Sequence, residues 1–178
     1  MPVATDWRKA YRRLVLSEPE PGLLEIVLSN PGRLNSVDAE THTELTRIWR
    51  DIDGDHDISV VLVRGEGSAF SAGGDFDLVE AIMRDEATRI RVWKEARDLV
   101  YNVINCSKPV VSAIEGPAVG AGLAGALLGD ISVGGRSARL VGGHTPPGVA
   151  PRDHAALVWP PPVLSLLTIL RCRGSTPC

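Results

Sequence analysis

The chain has 178 residues, 44% of them hydrophobic, and a mean hydropathy of +0.04, a balance that suits one water-facing domain with a sizeable core. Its formal net charge of −3 leaves no basic footprint for nucleic acid, and the longest apolar stretch, Val163 to Leu170, is too short and too interrupted to span a bilayer. Three cysteines, Cys106, Cys172 and Cys178, neither pair off evenly nor show metal-ligand spacing, and the charged stretch Met1 to Arg13 lacks an apolar signal core, so a reducing cytoplasmic compartment is expected.

Taken in chain order, Leu14 to Leu16 and Leu23 to Leu28 flank Pro19-Glu20-Pro21-Gly22 and read as a hairpin, which Asn30-Pro31-Gly32 terminates. Asp38 is a plausible N-cap for a helix to about Asp53, with Leu45, Ile48, Trp49 and Ile52 on its buried face. The β-branched run Ile58 to Val63 predicts a buried strand that ends at Gly65-Glu66-Gly67. Asp75 is a candidate cap of the following helix, a role compatible with ligand contact. A long helix is expected over Glu86 to Ile104, with Ile90, Trp93, Leu99, Val100, Val103 and Ile104 in the core. Val110 to Ile114 predicts a strand, Leu123 to Leu128 a small-residue helix, and Asp130 to Val133 a further strand. The strand–loop–helix order argues for an α/β fold. From Gly142 onward proline is frequent, and a clean helix is not expected between Thr145 and Pro162.

Two glycine-rich bends each follow a strand: Ser71-Ala72-Gly73-Gly74-Asp75 and Gly116-Pro117-Ala118-Val119-Gly120-Ala121-Gly122. Neither carries the Gly-Lys-Ser/Thr of a phosphate-binding loop. Gly120, Gly122 and Gly125 match a dinucleotide-binding spacing, but no acidic residue ends a following strand, so a dinucleotide-binding module is a remote alternative. Small residues let main-chain N–H groups approach a ligand closely, and two such groups aimed at one carbonyl oxygen form an oxyanion hole. Ser71 or Ser112 with His42, His144 or His154 could suggest a hydrolytic triad, but no Gly-x-Ser-x-Gly surrounds either serine.

The stretches Asn30-Pro31 through Leu34-Asn35-Ser36, Val60 to Gly65, Ala69-Phe70-Ser71-Ala72-Gly73-Gly74-Asp75 and Lys108-Pro109 through Gly122 resemble the crotonase superfamily, the enoyl-CoA hydratase/isomerase family, in content, order and spacing. The resemblance runs over roughly residues 14 to 159 and is strongest from 58 to 135. It implies repeated ββα units with a stacked sheet core, an acyl-CoA thioester as substrate, no separate cofactor (coenzyme A being part of the substrate), and a homotrimer or hexamer. By position in the motifs, the Gly74 and Ala121 amides would bind the thioester oxygen. Ala72, Gly73, Asp75, Phe76, Asp77 and Gly120 would line the pantetheine and acyl end, and Arg33 and Leu34 would lie near the nucleotide end.

The chain also departs from that pattern. Hydratases of the family use two glutamates, and alignment of the motifs places them at Ala124 and His144, so both carboxylates are missing. The substitutes expected to move protons are His144 and Asp153, with His154 a weaker choice. The C-terminal helical part of the family is expected to be missing as well. Residues 1–159 would then be an incomplete acyl-CoA-binding domain, and 160–178 an irregular tail that follows a reading-frame change after about Leu140. Two functions are carried forward: an enoyl-CoA hydratase/isomerase-like enzyme that stabilises a thioester enolate, and an inactive incomplete homologue.

Overall fold

A computed structural model describes residues 7–142. After a short 3-10 turn at Trp7–Ala10, strands β1 (Leu14–Glu20) and β2 (Leu23–Leu28) form the expected hairpin, turning at Gly22 with φ +82°. Helix α1 (Ala39–Gly54) follows. The Asp38 carboxylate accepts from the Thr41 N–H at 2.8 Å, satisfying one of the first-turn amides that have no intrahelical partner. Strand β3 (Val60–Gly65), helices α2 (Phe76–Arg84) and α3 (Glu86–Ile104), strands β4 (Val110–Ile114) and β5 (Pro117–Val119), helix α4 (Ala121–Leu127), and strands β6 (Ile131–Gly134) and β7 (Arg139–Val141) complete the order.

The main sheet has the order β1-β2-β3-β4-β6, antiparallel at the hairpin and parallel from β2 onward. Parallel neighbours need a crossover, and helices supply each one: α1 between β2 and β3, α2 with α3 between β3 and β4, and α4 between β4 and β6. In the single-helix crossovers, α1 and α4 return the chain from the end of one parallel strand to the start of the next. The N-termini of α1 and α4 therefore lie toward the same edge of the sheet, the edge where the strands end. The core beneath the helices holds Ile26, Ile48, Ile52 and Val61, all fully buried, and each such side chain contributes about 1.5–3 kcal/mol on leaving water.

A second, narrow layer sits at that edge. β5 pairs in parallel with β7, Ser71 bridges Ala118, and Val37 bridges Gly74. Three successive passes through strand, short extended segment and helix thus give the stacked, repeated architecture expected from the sequence.

One expectation about the core is corrected. Trp93 and Ile104 are 66% and 64% exposed and Ile90 is 45% exposed, so they do not belong to the core. α3 packs against α1 through the stripe Val92, Ala96, Leu99 and Val103, spaced by four, three and four residues, and also contacts α2, while Trp93 and Ile104 face outward. Strand boundaries also moved: β3 begins at Val60 and β6 at Ile131, because Ser59 and Asp130 are spent on turn and tethering contacts. The Asp130 carboxylate takes the Val110 N–H at 2.8 Å. The tail expectations, the boundary at residue 159 and the candidates His144, Asp153 and His154 lie outside the described residues.

Candidate functional site

The first bend is braced from beneath by Asn35. Leu34 and Asn35 both adopt left-handed backbone, φ 50° and 56°, a region asparagine tolerates better than most residues. The buried Asn35 carboxamide donates to the carbonyls of Glu66 (2.9 Å) and Ala69 (2.8 Å) and accepts the Asn30 N–H at 3.2 Å. The fully buried Ser71 hydroxyl donates to the Asn35 carbonyl at 2.8 Å and accepts the Gly73 N–H at 3.1 Å. The Ala72 N–H goes to the Leu34 carbonyl at 2.8 Å, and the Asp75 N–H to the Val37 carbonyl at 2.9 Å. Along Ala72-Gly73-Gly74-Asp75, only the Gly74 amide has no acceptor among the described residues. Gly74 is also exposed.

The second bend is built against the first. The Val119 N–H donates to the Ser71 carbonyl at 2.9 Å and the Gly120 N–H to the Val141 carbonyl at 3.0 Å. Gly120, at φ 52°, turns the chain directly into α4, whose first residue is Ala121. Gly122 lies so close to Ser71 that a Cβ there would come within 2.7 Å of the Ser71 Cβ. Like Gly74, Ala121 is exposed, and its amide has no acceptor among the described residues. The two bends meet at Gly73, where φ is +86° and an added Cβ would lie 2.6 Å from the Val119 carbonyl and 3.6 Å from the Ala121 nitrogen. Gly120 and Gly122 thus serve turn and packing roles in this arrangement.

Beside the bends, Arg33 donates to Asp75 at 2.6 Å and to Asp77 at 3.3 Å. The Asp75 side chain is 5% exposed and its other oxygen caps α2 by accepting the Asp77 N–H at 2.8 Å. The Arg33 guanidinium, then the Asp77 amide, hold the Asp75 carboxyl below the usual aspartate range against the opposing effect of burial. Phe76, at 90% exposed, and Leu34, at 56%, stand free on this side. An open cleft of about 560 Å³ runs past Arg13, Arg33, Asp38, Asp75, Asp77 and Arg91.

On the inner side, a largely apolar cavity of about 60 Å³ lies between α1, α3 and α4. Val37, His42 and Trp49 line it from one wall, and Ala121, Ala124 and Gly125 from the other. Ala124, buried at 2% exposure, contributes only a methyl group where the motif alignment expected a carboxylate. The Trp49 indole N–H is buried without a partner, a condition that costs about 1–3 kcal/mol. His42 is bonded through Nδ1 to Glu95 Oε2 at 2.7 Å. Burial pushes the Glu95 carboxyl upward, but hydrogen bonds from His42, Arg91 and Thr43 outweigh it and keep the group below the ordinary glutamate value.

Sequence reading named His42 only as a conceivable partner for serine. The structure instead joins it to Glu95, 53 positions away, and commits Ser71 to the bend. No local spacing could have revealed that pair. Ser112 is fully buried with its hydroxyl unpartnered. Among the described residues no three His, Cys, Asp or Glu side chains gather closely enough to hold a metal, and no helix is long and apolar enough to cross a membrane.

The chain is similar to known proteins over most of its length. It is 33% identical over 139 residues to 1,2-epoxyphenylacetyl-CoA isomerase of Escherichia coli K12, covering 77% of this chain and 53% of that protein. The crystal structure of an enoyl-CoA hydratase/isomerase from Mycobacterium paratuberculosis superposes with a TM-score of 0.81 at 32% identity, over 92% of this chain and 66% of that one. An enoyl-CoA hydratase/carnithine racemase from Magnetospirillum magneticum superposes with a TM-score of 0.77 at 25% identity, over 91% of this chain and 62% of that one. The chain spans about half the length of the curated relatives it matches. Residues 18–162 match the enoyl-CoA hydratase/isomerase family as a whole, and with the fold and the two abutting bends in place, the chain belongs to that family.

Proposed function

We propose that this chain binds an acyl-CoA thioester and stabilises its enolate with two main-chain amides, those of Gly74 and Ala121. The observation that carries the reading is that the two bends abut at Gly73 while these two exposed amides are left without acceptors among the described residues. A developing negative charge on the thioester oxygen would satisfy both, and in other enzymes one such donor contributes about 3 kcal/mol to the transition state. With the carbonyl polarised, the α-carbon becomes acidic and a C–H proton can leave.

Ala124 supports relocation of a proton rather than addition of water, because its methyl cannot activate a nucleophile. The name of the Escherichia coli relative, an isomerase acting on a CoA thioester, points the same way. In this reading the substrate runs along Ala72, Gly73, Asp75, Phe76, Asp77 and Gly120, with Arg33 and Leu34 toward the nucleotide end, and no resident cofactor is required. Motif position offers His144 and Asp153 as candidates for moving the proton. The exposed apolar side chains Phe76, Met83, Trp93 and Ile104 support self-association, for which the family resemblance suggests a trimer or hexamer, and the cytoplasm is the proposed location. A second reading, binding without turnover, is favoured by Ala124 alone.

The test is a calorimetric titration of the full chain with butyryl-CoA and with its S-butyl thioether analogue, which lacks the carbonyl oxygen. The thioester is expected to bind at least about tenfold more tightly, as one charge-assisted hydrogen bond requires. Equal affinities would remove the amide pair from the reading, and no binding of either would remove acyl-CoA.

A further inference from the structure

We infer that His42, held in place by Glu95, is the side chain that carries the proton in this site. The inference rests on the acyl-CoA reading above and assigns it a group that no motif position supplied. His42 lies in the first turn of α1 and lines the same apolar cavity as Ala121 and Ala124. His42 stands in the first turn of α1 and Ala121 opens α4, and both helices border that cavity.

The imidazole is set as a general base would be. Its Nδ1 meets the Glu95 carboxylate at 2.7 Å, and Glu95 is itself fixed by Arg91 Nη1 at 2.9 and 3.0 Å and by the Thr43 hydroxyl at 3.0 Å. The Thr46 hydroxyl ties the Glu95 carbonyl to α1 at 3.2 Å. The His42 and Glu95 side chains are 11% and 15% exposed, so neither is a freely solvated surface charge. Nδ1 is engaged by the Glu95 carboxylate, and Nε2 makes no hydrogen bond to any described residue. A nitrogen base oriented from behind by a carboxylate, with its front nitrogen unengaged, is the arrangement that proton-transfer chemistry uses. Trp49, two turns further along α1, lines the same cavity, and its indole N–H is buried without a partner.

The step balances without a co-reactant. Neutral His42 takes a proton from the α-carbon of the bound thioester through Nε2. The C–H bond breaks, its electron pair forms the carbon–carbon double bond of the enolate, and the thioester oxygen becomes the anion facing the Gly74 and Ala121 amides. The imidazolium is compensated by ionised Glu95. Returning the proton to the α-carbon restores the substrate, and returning it to the γ-carbon of an enoyl chain shifts the double bond. Glu95 is a positioning residue in this scheme.

Deuterium incorporation at the α-carbon of butyryl-CoA in D2O, followed by mass spectrometry on the full chain, tests the assignment. His42→Gln is expected to slow incorporation by about 100-fold or more while the calorimetric affinity for butyryl-CoA is retained. Imidazole added to His42→Ala should restore part of the rate. Glu95→Gln should lower the rate by about tenfold without weakening binding, and His56→Gln, on an exposed turn, should change neither. A wild-type rate in His42→Gln overturns the inference, as does wild-type protein that binds butyryl-CoA and incorporates no deuterium. Wild-type protein that fails to bind at all overturns the functional reading first. Should His42→Gln lose its cooperative melt, carbethoxylation of the wild-type chain with peptide mapping decides instead. Modification of His42 should abolish incorporation and butyryl-CoA should protect it, and an absence of protection overturns the inference.

Discussion

Val37 pairs with Gly74 in parallel, and the geometry of that bridge leaves the Gly74 amide free. The Val37 N–H donates to the Gly73 carbonyl at 2.8 Å, and the Val37 carbonyl accepts from Asp75 at 2.9 Å. The bonds are made by the residues on either side, so Gly74 turns its own N–H away from Val37. Val37 also lines the inner cavity, and this one residue therefore borders both the amide pair and the apolar space behind it.

Gly73 and Gly74 are expected to respond differently to the same substitution. In Gly73→Ala the new methyl meets the Val119 carbonyl at 2.6 Å on a backbone with φ +86°, so the two bends must move apart. Thermal melts should show a loss of about 1–3 kcal/mol, and butyryl-CoA affinity should fall with it. Gly74→Ala meets only the Val79 side chain, at 3.7 Å, and should cost less than about 1 kcal/mol.

Asn35 should tolerate no isosteric replacement. Both donors of its carboxamide are used, on the Glu66 and Ala69 carbonyls. Asn35→Asp removes both and brings a buried carboxylate against two carbonyl oxygens. A stability loss of about 2–4 kcal/mol is expected by denaturant titration, larger than for Asn35→Ala. Equal losses in the two variants would show that the hydrogen bonds, not the charge, set the cost.

Glu44 fastens the start of β1 to α1. Its carboxylate accepts the N–H groups of Arg12 (2.8 Å), Arg13 (2.9 Å) and Leu14 (3.1 Å) from a buried position. Glu44→Gln keeps one acceptor oxygen and turns an NH2 toward a donor, which should cost about 1–2 kcal/mol. Glu44→Ala leaves three donors unmet and should cost about 2–3 kcal/mol. Hydrogen exchange at Leu14 should accelerate in both variants.

Acid should weaken the Arg33–Asp75 contact in a defined window. The Asp75 carboxyl is lower in the folded chain than in the unfolded one, so its contribution is present above the unfolded value of about 3.9 and is lost as pH falls through the folded value. Glu25, Asp55 and Asp85 are also lowered and will steepen the overall acid transition. The comparison is therefore between wild type and Arg33→Gln. The melting temperatures should differ at pH 5 and converge as pH drops toward 2. A gap that stays constant across that range would show that Arg33 acts through packing alone.

Much of the architecture was legible because it is local. Asp38 announces the start of α1, and the spacing of Leu45, Ile48, Trp49 and Ile52 announces its buried face. The glycines at 73, 74, 120 and 122 mark backbone that must pass close to something. α3 was less legible. Its apolar residues are distributed around the helix, and which stripe is buried depends on where α1 lies, so Val92 is covered and Trp93 is not.

The sequence by itself determined the family, the α/β alternation of the main strands and helices, and the two bends whose small residues permit close approach, since each depends on motifs or periodicities a few residues long; it did not delimit α2 or mark β5 or β7. It also showed that no carboxylate stands at position 124. Only the tertiary structure decided that Gly73 abuts Ala121, that Arg33 neutralises Asp75, and that His42 meets Glu95 across two helices. These are contacts between elements, and their distances are set by how parallel strands and their return helices stack, a geometry that no spacing along the chain encodes.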